Sequence, residues 1–434
     1  FGGGGSERLV GSVLAELAAQ QKYERDCVVV VSKAGYIDAA WLDAMGEDAP
    51  AEIEEIADNS WHSIHPAFLE RALARSRENL RLECIDVFLL QNPEEHLQAL
   101  LARSDDASAA EQLFYERIQL AFSLLEEWVA QGRIGWYGLA CNTLGEAAPS
   151  SGLLSLPKLW DIASDVGGEG HHFAVLQIPL NVLEPGVLRN RSGMVPNGSS
   201  ALTWARRRNV GILANRPLNA SLGGRVVRLV DIPAAPKEPT LSRHLDALAE
   251  LEQTLRDRDV IEVETMDGSI GVKDIFTKAE ELGGVAIQIR DLAHWTQLQG
   301  TLKSQLDDFV QLVDAAFAQS DANDLWQKEY RKPYIQLINE ILRDIGLRAL
   351  EESRLAAQNV RGSVRSAMGR YADTPLAQQM VWTVMNTPGV SAVLCGMRQK
   401  AYADQLMQTL AWPNHPNVPA VYEAATDLPW TRGI

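Results

Sequence analysis

Apolar positions along the chain follow two rhythms. In roughly the first half, short β-branched runs alternate with amphipathic stretches; later, long apolar stripes recur every three or four residues. The short runs predict strands at 27–31, 85–90, 134–139, 174–178, 210–214 and 392–395, the continuous kind that parallel sheets bury on both faces. Between them, Leu9, Leu14 and Leu17 follow Ser6-Glu7 at helical spacing, predicting a helix capped by Ser6 with an acidic first turn. Pro66 opens a second helix carrying Leu69, Leu73 and Leu80, and 111–130 predicts a third. Repeated βα units imply parallel strands with right-handed crossovers, which both a barrel and an open doubly wound sheet satisfy. Periodicity does not choose between them.

Pro233, Pro236 and Pro239 mark a stiff boundary. Beyond it Leu298, Leu302, Leu306, Phe309, Val313 and Phe317 form one helical stripe, and Tyr334, Leu337, Ile338, Ile341 and Ile345 another. Val285 to Ile289 reads as a short strand among them. The chain therefore divides, as an expectation, into 1–232, a mainly helical insertion at 233–374, and 375–434, where the βα style returns. The stripes are the insertion's own core or, in part, a surface for a protein partner.

A formal charge of -17 weighs against a nucleic-acid groove, which needs Lys and Arg to neutralise phosphates. It weighs equally against an anionic membrane surface, and no apolar run approaches the ~20 residues of a membrane span. Cys27, Cys84, Cys141 and Cys395 are far apart and lack CxxC spacing, so buried free thiols in a reducing compartment such as cytoplasm or an organelle matrix are expected. His62 and His65 have a spacing that suits a metal but no third ligand; a loop before Pro66 explains them better, and no metal is expected. A chain opening on Phe1 rather than Met is expected to have had a preceding segment, a targeting peptide included.

Seven segments in order are similar to the aldo-keto reductases: FGGGGSERLVG, VVSKAG, HSIHPAFLERALARSRENLRLECIDVFLLQNPE, GRIGWYGLACNT, VLQIPLN, ANRPL and PGVSAVLCGMR. The resemblance covers 1 to about 220 and 375–410. It implies a (β/α)8 barrel with its site at the C-terminal strand ends. It also implies that the family's first two strands, with the aspartate ending the second, would precede Phe1.

Carbonyl reduction by a nicotinamide hydride leaves charge on oxygen, which needs a proton and fixed donors. The resemblance places the family's lysine at Lys33. Its tyrosine position is Phe1, which has no proton to give, and its histidine position is Gln91, which cannot titrate. For the cofactor, NADP(H), it places Ala140 where a serine is usual, with Cys141, Asn142 and Gln177 nearby. Asn215 stands where an aromatic usually stacks, and Arg216, Gly396 and Arg398 lie at phosphate-gripping positions. Two readings result: a non-catalytic scaffold or subunit of a larger assembly that retains some NADP(H) contact, or an active NADPH-dependent oxidoreductase acting on aldehydes or ketones with an unusual proton donor. Loss of both the tyrosine and the histidine favours the first.

Overall fold

The structure is a computed structural model that describes residues 2–46, 49, 52–146, 152–190, 199–236, 240–257, 262–265, 268–271, 275–318 and 322–428. Phe1, on which one site expectation falls, lies outside the described residues. The chain forms two compact units, Phe1–Pro217 with Met380–Val418, and Leu218–Gln379 with Pro419–Ile434.

The first unit is built on a six-stranded parallel sheet: β1 Val31–Ala34, β2 Ile85–Gln91, β3 Ile134–Ala140, β4 Phe173–Pro179, β5 Gly211–Asn215 and β6 Ala392–Val393, hydrogen-bonded in that order. Spatial order equals chain order, with no reversal. Right-handed crossovers then all fall on one face, whereas a doubly wound sheet must reverse direction to use both. This is the winding of a barrel wall, and the sheet is a six-stranded α/β segment of that kind.

Helix α1 Gly5–Ala19 precedes β1, and α2 Pro66–Leu80, α3 Pro93–Arg103, α4 Ala107–Ala130, α5 Leu156–Gly167 and α6 Ala201–Arg207 lie between successive strands. Phe88 meets Trp128 of α4 edge-on at 5.5 Å, and Phe122 packs on Tyr137 and Phe173, so these strand positions define the helix-covered face. Each such fully buried large side chain contributes roughly 1.5–3 kcal/mol. Alternation sends Val87, Leu89, Ala140 and their neighbours Val31 and Val175 to the opposite, inner face, where they form a small cluster of their own. That inner face is less complete: Lys33, Val175, Leu213 and Asn215 are only half-buried, and Trp136 is 49% exposed.

The second unit is mainly helical. Its elements include α7 Leu241–Asp257, α8 Lys278–Gln288, α9 Leu292–Ala318 and α10 Arg331–Met368, with two small antiparallel hairpins. Leu306, Val313, Phe317, Tyr334, Ile338, Ile341 and Ile345 all enter one core around Phe276 and Trp326. Both stripes are therefore largely spent within the chain. Glu252, almost wholly buried on α7, accepts hydrogen bonds from the Lys278 and Ala279 amides and the Tyr334 hydroxyl, tying α7, α8 and α10 together.

Three local expectations are corrected. The strand expected at 27–31 begins its ladder only at Val31, because the Asp86 carboxylate takes the Val30 N–H and Arg25, and Val29 is 70% exposed. The strand expected at Val285 to Ile289 lies largely in α8, which buries Ala279, Leu282 and Ala286 while Ile287 is 78% exposed, a helical and not an alternating pattern. Ser6 is not a cap. Gly4 takes the N-cap position at φ 84, and a Cβ there would lie 2.5 Å from the Asn79 side chain.

Among the described residues no helix is long and apolar enough to cross a membrane. All four cysteines are free; Cys141 is buried as expected, but Cys27 is exposed, since it precedes the sheet.

Candidate active site

The inner face carries the candidate residues at the C-terminal ends of the strands. Register aligns Lys33 with Leu89, and Gln91 with Ala140, Ala140 with Gln177, and Gln177 with Leu213. Lys33, Gln91, Ala140 and Gln177 thus share one face, with Asn215 two residues beyond Leu213 on the same side. Gly35 follows β1 directly against β2: a Cβ there would lie 2.3 Å from the Gln91 carbonyl, so only glycine permits this approach.

Lys33 makes no hydrogen bond or ion pair among the described residues, and burial alone lowers its pKa. No carboxylate opposes that effect. The Gln91 carbonyl is held by His62 Nε2 at 2.7 Å. His62 and His65 do not converge: His65 Nδ1 caps α2 by accepting the Ala67 N–H at 3.1 Å. No cluster of metal-binding side chains occurs among the described residues.

A polar network that the sequence did not disclose surrounds these strand ends. Tyr36, just after β1, donates its hydroxyl to Glu95 and accepts from Asn92 Nδ2 at 2.6 Å. Burial and the Glu95 carboxylate push its pKa upward, making it a poorer acid. Glu94, in the first turn of α3, is 1% exposed; its Oε1 accepts the Asn142 N–H at 2.7 Å and its Oε2 has no partner. Burial pushes this carboxyl up to about 7. Deeper still, Arg117 bridges Glu54 at 2.8 Å and donates to His96 Nε2 at 2.8 Å. Burial, with His62 and Arg117 nearby, pushes His96 down to about 3. The sequence signal for Glu94 was its place after a helix-opening proline, but nothing local reveals its burial.

The residues assigned to a cofactor are partly committed elsewhere. Arg216, in the left-handed region at φ 53, donates to Asn142 Oδ1 at 2.6 Å and lies 3.7 Å from Glu184. The Cys141 sulfur lies 3.5 Å from the Thr143 hydroxyl. Gln177 is buried, and Asn215 Oδ1 is buried without a partner. Gly396 and Arg398 are exposed beyond β6.

Residues 1–262 match the model of the aldo/keto reductase family, more than half of the chain. The chain belongs to the aldo/keto reductase family. No curated protein matches it. Among solved structures, a glycerol dehydrogenase from Gluconobacter oxydans matches at 14% identity over 98% of this chain and 77% of its own, with a TM-score of 0.43. An aldo/keto reductase from Klebsiella pneumoniae, solved with NADP and acetate, matches at 20% identity over 50% of this chain and 49% of its own, with a TM-score of 0.28. The aldose reductase of Schistosoma japonicum matches at 14% identity over 49% and 53%, with a TM-score of 0.28.

In this family member the residues fit a dinucleotide unevenly. The exposed Arg398 is free for phosphate, since it has no partner among the described residues. At the nicotinamide end Asn142 already spends its oxygen on Arg216, and Asn215 offers no ring to stack on.

Proposed function

We propose that this aldo/keto reductase family chain is a barrel whose hydride chemistry has lapsed, acting as a scaffold or subunit of an assembly, with NADP(H) contact confined to phosphate. The observation that carries the reading is Lys33. Its amine lies on the inner face with Gln91 in the histidine's place, while Tyr36, the tyrosine nearest in sequence, is tied to Glu95 and Asn92 with its acidity weakened. An amine that should activate an acid hydroxyl therefore has none to activate among the described residues.

The same reading makes the six strands part of a (β/α)8 barrel, with the helical segment at 233–374 inserted between its last two strands. Sequential winding supports the barrel. So do the sheet edges at β1 and β6, unpaired among the described residues, with exposed apolar side chains close by in the chain: Val29 at 70%, Leu394 at 39% and Met397 at 49%. Two further strands would cover both edges. A protein partner would read the helical segment's few exposed apolar side chains, such as Ile287 and Leu298, because the stripes themselves are occupied.

The alternative, an active NADPH-dependent oxidoreductase, draws support from Glu94, a buried acid titrating near neutrality at the strand ends. Turnover decides between them. The purified chain is expected to reduce simple aldehydes with NADPH no faster than its Lys33→Met variant. Robust, Lys33-dependent reduction would overturn the scaffold reading.

A further inference from the structure

We propose that Lys33 is a carbonyl-capturing amine, condensing with apolar aldehydes to form an imine at the strand ends without any nicotinamide. This rests on the reading above only in taking Lys33 to have no acid partner. The placement is what a nucleophilic amine requires. Val31, Leu89, Ala140 and Val175 make an apolar floor on its own face, and Lys33 is half-buried, neither sealed in nor fully solvated. The amides of Gln91, Gln177 and Asn215 stand on the same face nearer the strand ends, groups able to donate to a carbonyl oxygen. Lysines in such surroundings lose their proton more easily, and the free amine is the reactive form.

The chemistry balances without a cofactor. The Nζ lone pair attacks the carbonyl carbon, the C–N bond forms, and the carbonyl π pair moves to oxygen, which takes a proton. Nitrogen gives up one proton to leave the neutral carbinolamine. Its hydroxyl then takes a second proton and departs as water as the nitrogen lone pair forms C=N, and nitrogen releases its other proton. The two protons oxygen gains match the two nitrogen loses. Amine and aldehyde give imine and water, with no net oxidation. An apolar, flat aldehyde suits the floor; a sugar or a charged ketoacid does not.

The test uses the full chain at neutral pH with benzaldehyde and sodium cyanoborohydride, NADPH omitted, and peptide mapping to locate benzylated lysines. The cyanoborohydride supplies the hydride that fixes the imine as a stable secondary amine. Lys33 is expected to label faster than the exposed Lys22, Lys158 and Lys303, since a lowered pKa leaves more of its amine unprotonated at neutral pH. The preference should vanish in urea. Gln91→Glu, which keeps the lysine and places a carboxylate on the adjacent strand, should slow labelling of Lys33 and leave the other three unchanged. Labelling of Lys33 at the rate of the exposed lysines, or indifference to Gln91→Glu, would overturn the proposal. NADPH turnover, measured separately on the same preparation, bears only on the scaffold reading, so the two can fail independently.

Discussion

Glu94→Gln should stabilise the first unit at neutral pH and do nothing comparable in acid. The carboxyl is 1% exposed, one oxygen accepts the Asn142 N–H, and the other has no partner. Its folded pKa of about 7 lies above the ordinary 4.5. A folded pKa raised in this way means full stability below 4.5 and a loss as pH rises toward 7, because the unfolded chain gives up its proton first. At about 1.4 kcal/mol for each tenfold, the ionised folded state is penalised by roughly 3 kcal/mol. Glutamine keeps the oxygen that receives the Asn142 N–H and carries no charge. Its new NH2 costs about 1 kcal/mol if left unpaired, but that cost is the same at every pH. The pH-dependent part is thus isolated. Native-state hydrogen exchange of the β2 and β3 amides, compared between wild type and variant at each pH, cancels the intrinsic pH dependence of exchange. The variant's advantage should grow by roughly 3 kcal/mol between pH 4.5 and pH 7. Parallel curves at all pH values would refute the reasoning and return Glu94 to an ordinary ionised helix-start carboxylate.

His96 works in the opposite direction. Its folded pKa of about 3 lies below the ordinary 6.5, so stability is present above 6.5 and lost as pH falls, at about 1.4 kcal/mol per pH unit. Between pH 4.5 and 6.5 it offsets Glu94, so wild type should be nearly flat there, whereas His96→Gln, which still accepts from Arg117, should gain stability toward acid in the same exchange measurement. In the second unit, Glu252→Ala strips partners from two helix-start amides and the Tyr334 hydroxyl, and should cost about 2–4 kcal/mol. Accelerated proteolysis within α8 would report it; an unchanged cleavage rate would show that α8 is held by its apolar face alone.

The strands were legible because buried parallel strands leave a compositional mark, unbroken β-branched runs between turn residues. The same mark misled at Val285 to Ile289. There, Val and Ile suggested a strand, but the burial of Ala279, Leu282 and Ala286 on α7's side repeats every three or four residues, and tertiary packing overrode propensity. The strand-end positions of Lys33 and Gln91 were legible because both residues end strand-like runs in ordered motifs. The Arg117–Glu54–His96 network was not, because its members lie 63 and 21 residues apart and acquire meaning only when α3, α4 and the short strand Glu54–Ala57 pack together. Barrel winding was undecided in the sequence for a similar reason: strand order belongs to the sheet and not to any segment of the chain.

The arrangement of polar groups at the strand ends bears directly on which chemistry survives. Asn142 is spent on Arg216 and Glu94, Cys141 on Thr143, and Tyr36 on Glu95 and Asn92. A nicotinamide seeking these groups must first break bonds that already exist, at about 1 kcal/mol each, and gains only their replacements. Mutual satisfaction therefore lowers the affinity a nicotinamide could achieve here while stiffening the loops that follow β2, β3 and β5. Lys33 stands outside this network. It neither supports the loops nor is neutralised by them, so folding gains nothing from its charge and loses what desolvation costs. A residue that is expensive to bury and idle in the fold needs a use outside it. On the reading proposed above, with no hydroxyl to activate among the described residues, its surroundings suit the chemistry of a free amine.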